Sequence, residues 1–249
     1  MLSKLQVKYI QSLNQKKFRK EEGVFIAEGP KIVSELLASP QVEPVVVYGT
    51  DSWWQQPAAT QLDSSRAVQI NTSELERISQ LPAPNQVLGI FVQPRFASTG
   101  SFDKDWSLVL DGIQDPGNMG TIIRTADWFN ISQIIASPDT ADPFNPKVVQ
   151  STMGSIARVQ VLEKELVSFL QQHAAIPSYA STLHGRPLQT YRQAAPGFLL
   201  IGNESKGIRA ELLQLCRHQL TIPRIGQAES LNAAVATGII LSQLCVQAG

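Results

Sequence analysis

The chain has 249 residues, 43% hydrophobic and 17% charged, and its 21 basic and 21 acidic side chains cancel to a formal net charge of zero. A chain of this length buries roughly 70–75% of its unfolded surface, so its core needs no metal or disulfide, and the composition excludes disorder, coiled coil and collagen. Cys216 and Cys245 form no CxxC pair, no apolar run suits a membrane span, and MLSKLQVKYIQSLNQKKFRK lacks the apolar core of a secretion signal, so a cytoplasmic protein without metal or membrane attachment is expected.

The charge is unevenly placed. Residues 1–31 carry seven basic side chains against three acidic ones, whereas 32–105 carry four against eight, so the one basic concentration is N-terminal. It is either a solvated helix face or a contact for a polyanion. In chain order, residues 3–17 read as an amphipathic helix with Leu5, Tyr9 and Leu13 at i, i+4 spacing and with Lys4 and Lys8 on another face. VFIAEGPKIVSELLAS (24–39) reads as strand, turn and helix, with Pro30 in the first helical turn, where its missing N–H costs nothing. A buried strand follows at 42–49. Next come a helix at 73–81, opened by Ser73 and Glu76 in capping-box spacing, and a strand at 87–94. Residues 1–94 thus form a small α/β unit, and the polar, aperiodic RFASTGSFDKD (95–105) reads as a linker that would make the two halves separable.

The alternation then restarts. Strands are expected at 106–113, 133–137, 159–163, 178–182, 197–202 and 219–223, and helices at 118–129, 146–156, 165–174, 209–216 and 230–247. Single helices between strands imply a mostly parallel sheet covered on both faces. In such sheets ligands bind beyond the carboxyl ends of the strands, and four strand-end loops here are unusual. DGIQDPGNMGTIIRTADW (111–128) opens a helix at about Asn118 and sets Thr121, Arg124 and Trp128 on one face. Its glycines match neither a dinucleotide fingerprint nor a P-loop. IGNESKG (201–207) brackets Asn203, Glu204, Ser205 and Lys206 with glycines. IPRIGQAESLNAAVATG (222–238) carries Gly226 at a tight bend, Ser230 as an N-cap, and Asn232. STLHG (181–185) gains meaning only beside the others. Each loop alone also reads as ordinary turn chemistry.

Together, DPGNMGTIIRTADWF, LLIGNESKGI and LTIPRIGQAESLNAAVATGIIL resemble the three ordered motifs of the SpoU (TrmH-type) RNA ribose 2′-O-methyltransferases, over residues 107–249. The N-terminal region, with KLQVKYIQSLNQKKFRKEEGVFIAEGPKIVSELL (4–37), is similar to the substrate-binding extension of the ribosomal-RNA members. The resemblance implies an N-terminal α/β RNA-binding domain (1–94) and a C-terminal trefoil-knotted parallel-sheet methyltransferase domain (106–249). S-adenosylmethionine would bind at Thr182, Leu183, Gly202, Asn203, Gly207, Ile222, Pro223, Gly226 and Leu231, and no metal would be needed. The catalytic set would be Arg124, Asn118, Glu204, Ser230 and Asn232. Asn118 would orient Arg124 or the ribose, and Glu204 would fix its loop or a partner arginine. RNA contacts would come from Lys16, Lys17, Arg19, Lys20 and Lys147, with ribosomal RNA favoured over transfer RNA. A catalytically inactive RNA-binding protein of the same fold is the alternative.

The ribose hydroxyl must lose a proton to attack a methyl group. His173, His184 and His218 lie outside the motifs, and the family's proposed base is the arginine matching Arg124. Arginine side chains stay protonated in proteins, so an electrostatic role beside an RNA phosphate is the other reading. Arg224 and Gln150 depart from the family pattern, which has a hydrophobic and often a basic residue there. The resemblance also implies a homodimer. The helix at 230–247 is apolar around nearly its whole circumference, and its larger side chains near the end, Ile240 and Leu244 among them, would face the partner.

Overall fold

The computed structural model describes residues 1–96 and 102–245. In chain order its elements are α1 (Lys4–Ser12), α2 (Lys16–Glu22), β1 (Val24–Glu28), α3 (Pro30–Leu37), β2 (Pro44–Gly49), α4 (Asp51–Trp54), β3 (Ala67–Gln69), α5 (Thr72–Ile78), β4 (Val87–Val92), β5 (Ser107–Asp111), α6 (Pro116–Trp128), β6 (Gln133–Ala136), α7 (Pro146–Thr152), β7 (Gln160–Glu163), α8 (Leu166–Gln172), β8 (Ser178–Pro187), β9 (Phe198–Gly202), α9 (Ala210–Leu215), β10 (His218–Thr221) and α10 (Ala233–Cys245). They form two compact units. One comprises residues 1–96 and 142–158, and the other comprises 102–141 and 159–245.

The first unit is built on a mixed sheet of order β1-β4-β2-β3, antiparallel except between β2 and β3. One core gathers Val7, Ile10 and Leu13 with Ile26, Leu75 and Ile90. The buried face of α1 is therefore Val7 and Ile10, and Leu5 is 80% exposed with Tyr9 beside it half-exposed. Of the i, i+4 apolar row read from the sequence, Leu5 and Tyr9 face out and only Leu13 is buried, because Val7, Ile10 and Leu13 form a competing i, i+3 row that meets the core. α1 and α2 are also two helices rather than one. In α5 the capping box is made by Asn71 and Glu74, two residues earlier than the Ser73 and Glu76 pair. Both boxes have valid spacing, and Asn71 follows directly on the strand-like Ile70.

Segment 142–158, carrying α7, belongs to this unit although it lies among the second unit's strands in sequence. α7 packs on β1, and Phe144 meets Phe25 at 5.4 Å between ring centroids. Arg19 donates to the Leu13 carbonyl at 2.8 Å and to Asp142, while Arg158 pairs with Glu35 at 2.9 Å. Gly154, at φ +94°, admits no side chain because a Cβ would come within 2.3 Å of Glu35. Val148, Val149, Ile156 and Ala157 are fully buried. This part of 106–249 therefore differs from the sequence reading. A contiguous boundary ignores that an apolar excursion packs wherever a matching face exists.

The second unit carries a six-stranded sheet, wholly parallel, of order β10-β8-β9-β5-β6-β7. β5, β6 and most of β9 are buried on both faces, as parallel strands between helices must be. On one face Val109, Ile135 and Leu200 meet Leu166, Phe169 and Leu212 from α8 and α9. On the other, α10 packs against α6 and β9. Of the expected linker, residues 97–101 lie outside the described residues. Its end, Phe102, packs in the second core against Phe169 (5.6 Å) and Phe198 (5.4 Å). Gln247 and Val246, placed in the last helix from sequence, also lie outside the described residues.

Candidate active site

With all six strands parallel, β5, β6, β8, β9 and β10 deliver their loops to one edge. α6 begins at Pro116, because the Asp115 carboxylate accepts from the Asn118 N–H at 2.7 Å and caps it. Asn118 is thus the third residue of the helix and not its start. α10 begins at Ala233. Its cap is Asn232, whose Oδ1 accepts from Ala234 N–H (3.0 Å) and Val235 N–H (3.2 Å). Ser230, expected in that role, is exposed two residues earlier.

Capping decides where the Asn232 amide nitrogen points. Its Nδ2 donates to Asn118 Oδ1 at 2.8 Å, and Asn118 Nδ2 donates in turn to Glu204 Oε1 at 2.6 Å. Glu204, Asn118 and Asn232, from three loops far apart in sequence, therefore form one hydrogen-bonded chain. Each amide is used at both ends, so its orientation is defined by its neighbours. Asn118 consequently does not hold Arg124. Arg124 is exposed on α6 with Thr121 and Trp128, and among the described residues its guanidinium has no partner. An exposed cation with no partner suits an anion brought by a substrate.

The remaining loops are shaped by backbone. β8 pairs with β10 at Ala180 and again at Arg186, so residues 181–185 bulge out of the ladder. In that bulge Thr182 Oγ1 is buried without a hydrogen-bond partner, and a Cβ on Gly185 would lie 2.5 Å from the Gln219 backbone. Leu183 is exposed. Asn203 and Gly207 exchange backbone hydrogen bonds (3.1 and 2.8 Å), and a Cβ on Gly202 would meet the Gly207 backbone at 2.3 Å. Gly207 itself sits at φ +69°. Residues 222–232 have no regular structure, and Pro223, Gly226 and Leu231 are exposed there with Ile222 half-buried. Gly226 has no neighbour within 4 Å of a built Cβ, so the glycine read from the sequence as permitting a tight bend is not demanded by surrounding atoms.

Several candidates fall elsewhere. Arg19 is 2% exposed and committed to Leu13 and Asp142, so it is no part of an RNA-facing surface. Its place at the turn of the basic run hides this in sequence; the signal would have been its buried helix face. Lys16, Lys17 and Lys20 are exposed on α2, and Lys147 is exposed on α7 in the first unit. His173 packs among Phe102, Phe169 and Phe198, and His218 stacks on Tyr179 at 4.9 Å, so both are structural. Burial pushes the Cys216 and Cys245 thiols up to about 11, far from thiolate chemistry. Among the described residues no group of three His, Cys, Asp or Glu side chains could hold a metal ion, and no helix is long and apolar enough to cross a membrane. Sequence reasoning missed Asp111 and Arg209, which are joined at 2.7 Å below the Glu204 loop.

Comparison with known proteins places this geometry. The model of the SpoU rRNA Methylase family matches residues 105–242, and that of an MRM3-like substrate binding domain matches residues 4–89. The 23S rRNA (guanosine(2553)-2′-O)-methyltransferase of Bacillus subtilis is 30% identical over 243 residues, 96% of this chain and 95% of its own. A TrmH-family protein from Porphyromonas gingivalis superposes with a TM-score of 0.83 at 36% identity over 98% of both chains. The AdoMet-bound rRNA methyltransferase from Sinorhizobium meliloti does so at 0.83 and 32% identity, over 98% of this chain and 95% of its own. The first match covers more than half of the chain and all three members of the hydrogen-bonded chain, and on that ground the protein belongs to the SpoU rRNA methylase family.

Proposed function

We propose that this chain transfers the methyl group of S-adenosylmethionine to a ribose 2′-hydroxyl of RNA, and that the RNA is ribosomal. The observation that carries the reading is the Glu204–Asn118–Asn232 chain, which draws the three motif loops together around one edge of the parallel sheet. Ribosomal RNA is favoured by the substrate-binding family over residues 4–89 and by the activity of the Bacillus subtilis relative.

The residues present fit the cofactor. Thr182 Oγ1 is a buried hydroxyl awaiting a partner, and Gly202 and Gly185 stand where a side chain would collide with backbone. These close backbone approaches fix the shapes of the two loops. Thr182, Leu183, Gly202, Asn203, Gly207, Ile222, Pro223, Gly226 and Leu231 are the residues to hold the cofactor. Bound S-adenosylmethionine supplies an electrophilic sulfonium methyl. Arg124 supplies a fixed positive charge that holds a phosphate next to the target ribose and stabilises negative charge growing on the 2′-oxygen. Glu204, Asn118 and Asn232 keep their loops in one geometry, and Ser230 is free to meet the nucleotide. Positioning of this kind supplies about 7–11 kcal/mol of a barrier, so a strong base is not required.

The same reading includes a trefoil knot at the C-terminal end of the second unit, a homodimer and a cytoplasmic site of action. The homodimer is supported by exposed apolar side chains on α6 and α10, namely Trp128, Val235 and Ile239. The test is transfer of labelled methyl from S-adenosylmethionine to deproteinised ribosomal and transfer RNA, with chelator present, followed by mapping of 2′-O-methyl positions. Incorporation into ribosomal RNA at an undiminished rate is expected. Labelling of transfer RNA alone would overturn the substrate, and no labelling of either would favour an inactive RNA-binding protein.

A further inference from the structure

At the outlet of β5 the backbone is held from three sides. Asp111 is buried, and both of its carboxylate oxygens are used. Oδ2 accepts from the Arg209 backbone N–H at 2.8 Å and Oδ1 from Arg209 Nε at 2.7 Å. The next residue, Gly112, lies at φ +67°, and a Cβ there would approach Asp139 Oδ2 to 3.1 Å. Its N–H donates to Ser137 Oγ at 2.9 Å, and its carbonyl accepts from Asn203 Nδ2 at 2.7 Å.

The loop 203–208 is therefore fastened at both ends to one dipeptide, through Asn203 at its start and Arg209 just past its end. Inside the loop, Asn203 Oδ1 accepts from Ser205 N–H (2.9 Å) and Lys206 N–H (3.1 Å), so the start is rigid in itself. The far end is tied back to Asn203 by the two Gly207 backbone bonds, and beyond Gly207 the hold passes to Asp111 and Arg209. α9 has no side-chain cap at Arg209, and Arg209's own N–H is held by Asp111.

We infer that Asp111 is a positioning residue which, through Arg209, holds the Gly202–Gly207 loop in its cofactor-binding shape; the loop's role rests on the proposed function. Arg209 is half-exposed but its partner Asp111 is buried, so the pair also contributes to stability, and the thermal midpoint is read beside the affinity. The pair's location gives it leverage of another kind. Loss of the Arg209 contacts loosens the frame that sets the closed Asn203–Gly207 turn, and Glu204 within it, against Asn118, while the core beneath, with Ile208 and Leu212 buried, stays packed.

Two variants of the full-length chain test this. Asp111→Asn is nearly isosteric but keeps one acceptor, and its amide nitrogen must face one of the two Arg209 donors. Arg209→Ala removes the side-chain bond and keeps the backbone one. Affinity for S-adenosylhomocysteine is measured by calorimetry, and backbone hydrogen exchange over 203–209 is measured without ligand. Thermal midpoints serve as the fold control. A bond to a charged group has the strength to weaken binding about ten- to a hundredfold. That range is expected for Asp111→Asn, with a smaller loss of a few-fold for Arg209→Ala, and exchange rising in the same order. Wild-type affinity and exchange in both variants would overturn the inference, as would weakened binding without faster exchange. If Asp111→Asn fails to fold, Arg209→Ala decides alone, since its side chain is half-exposed. If the unaltered chain binds no S-adenosylhomocysteine, the cofactor reading fails, and the exchange order still decides whether Asp111 holds the loop.

Discussion

Arg19 lies buried between the Leu13 carbonyl and Asp142, while Lys20 beside it faces solvent. Removing one member of a buried pair leaves the other charge uncompensated. Arg19→Ala should therefore lower stability by about 3 kcal/mol in urea unfolding. Reversal of Lys16, Lys17 and Lys20 together should leave the urea midpoint nearly unchanged. It should weaken RNA binding and lower its salt slope by roughly 0.7–0.9 per lost phosphate contact. An unchanged slope would return those lysines to a solvated face. Arg124→Ala should cut turnover by at least about a hundredfold, in line with the loss of one group that stabilises charge in the transition state. Arg124→Lys should also be poor, since a point charge does not replace a planar fork.

Glu28 belongs to the same scale. Burial raises its carboxyl above the usual carboxylate range, and hydrogen bonds from the Ser79 hydroxyl and the Gln80 N–H pull it partly back. The native state therefore binds its proton more tightly than the unfolded chain does. Stability contributed here is highest below the ordinary carboxylate value and is lost as pH rises through the raised native value. Glu28→Gln keeps an acceptor for Gln80 and removes the buried charge. It should raise the urea midpoint at neutral pH and flatten the pH dependence; a lower midpoint would show that the ionised carboxylate is the better acceptor.

At the scale of elements, α10 shows how far periodicity reaches. Its apolar residues surround the helix, so sequence could not say which of them meet the subunit's own core. Ile240 and Leu244, expected to face a partner, are 0% and 2% exposed, whereas Val235 is 52% exposed and Ile239 38%. Packing of one side of α10 against α6 and β9 makes that choice. Val235→Glu or Ile239→Glu should thus give folded monomers in sedimentation with lost activity, and Ile240→Glu should fail to fold. A fully active monomer from either surface change would remove the proposed dimer. The caps behave likewise. Asp115 and Asn232 set the starts of α6 and α10, and only the second also reaches across to another motif.

On the scale of the whole molecule, the path of the chain matters more than the linker. It passes between the two units after residue 96, at 141–142 and at 158–159. Deleting residues 1–94 would uncover Val148, Val149, Ile156 and Ala157, which are buried in the first unit. The clean separation expected from sequence is replaced by another outcome: the truncated chain should bind a hydrophobic dye and aggregate. A version that also replaces 142–158 with a short polar linker should be soluble, and static light scattering would distinguish the two.

Local chemistry determined much by itself. Apolar runs bounded by glycine and proline announced the buried parallel strands, because a strand covered on both faces has no polar side to alternate. The three motif loops were legible as strand-end turns, and Asn118, Glu204 and Asn232 within them only through their resemblance to the SpoU motifs, since each loop alone reads as ordinary turn chemistry. Only the tertiary structure decided that these three side chains touch, that Arg19 turns inward, that 142–158 joins the first unit, and that Asp111 grips Arg209 across 98 positions. The reason is physical. Propensity and capping act within a few residues, whereas pairing a buried charge or covering an apolar face depends on which surfaces the folded chain brings within hydrogen-bond or van der Waals range.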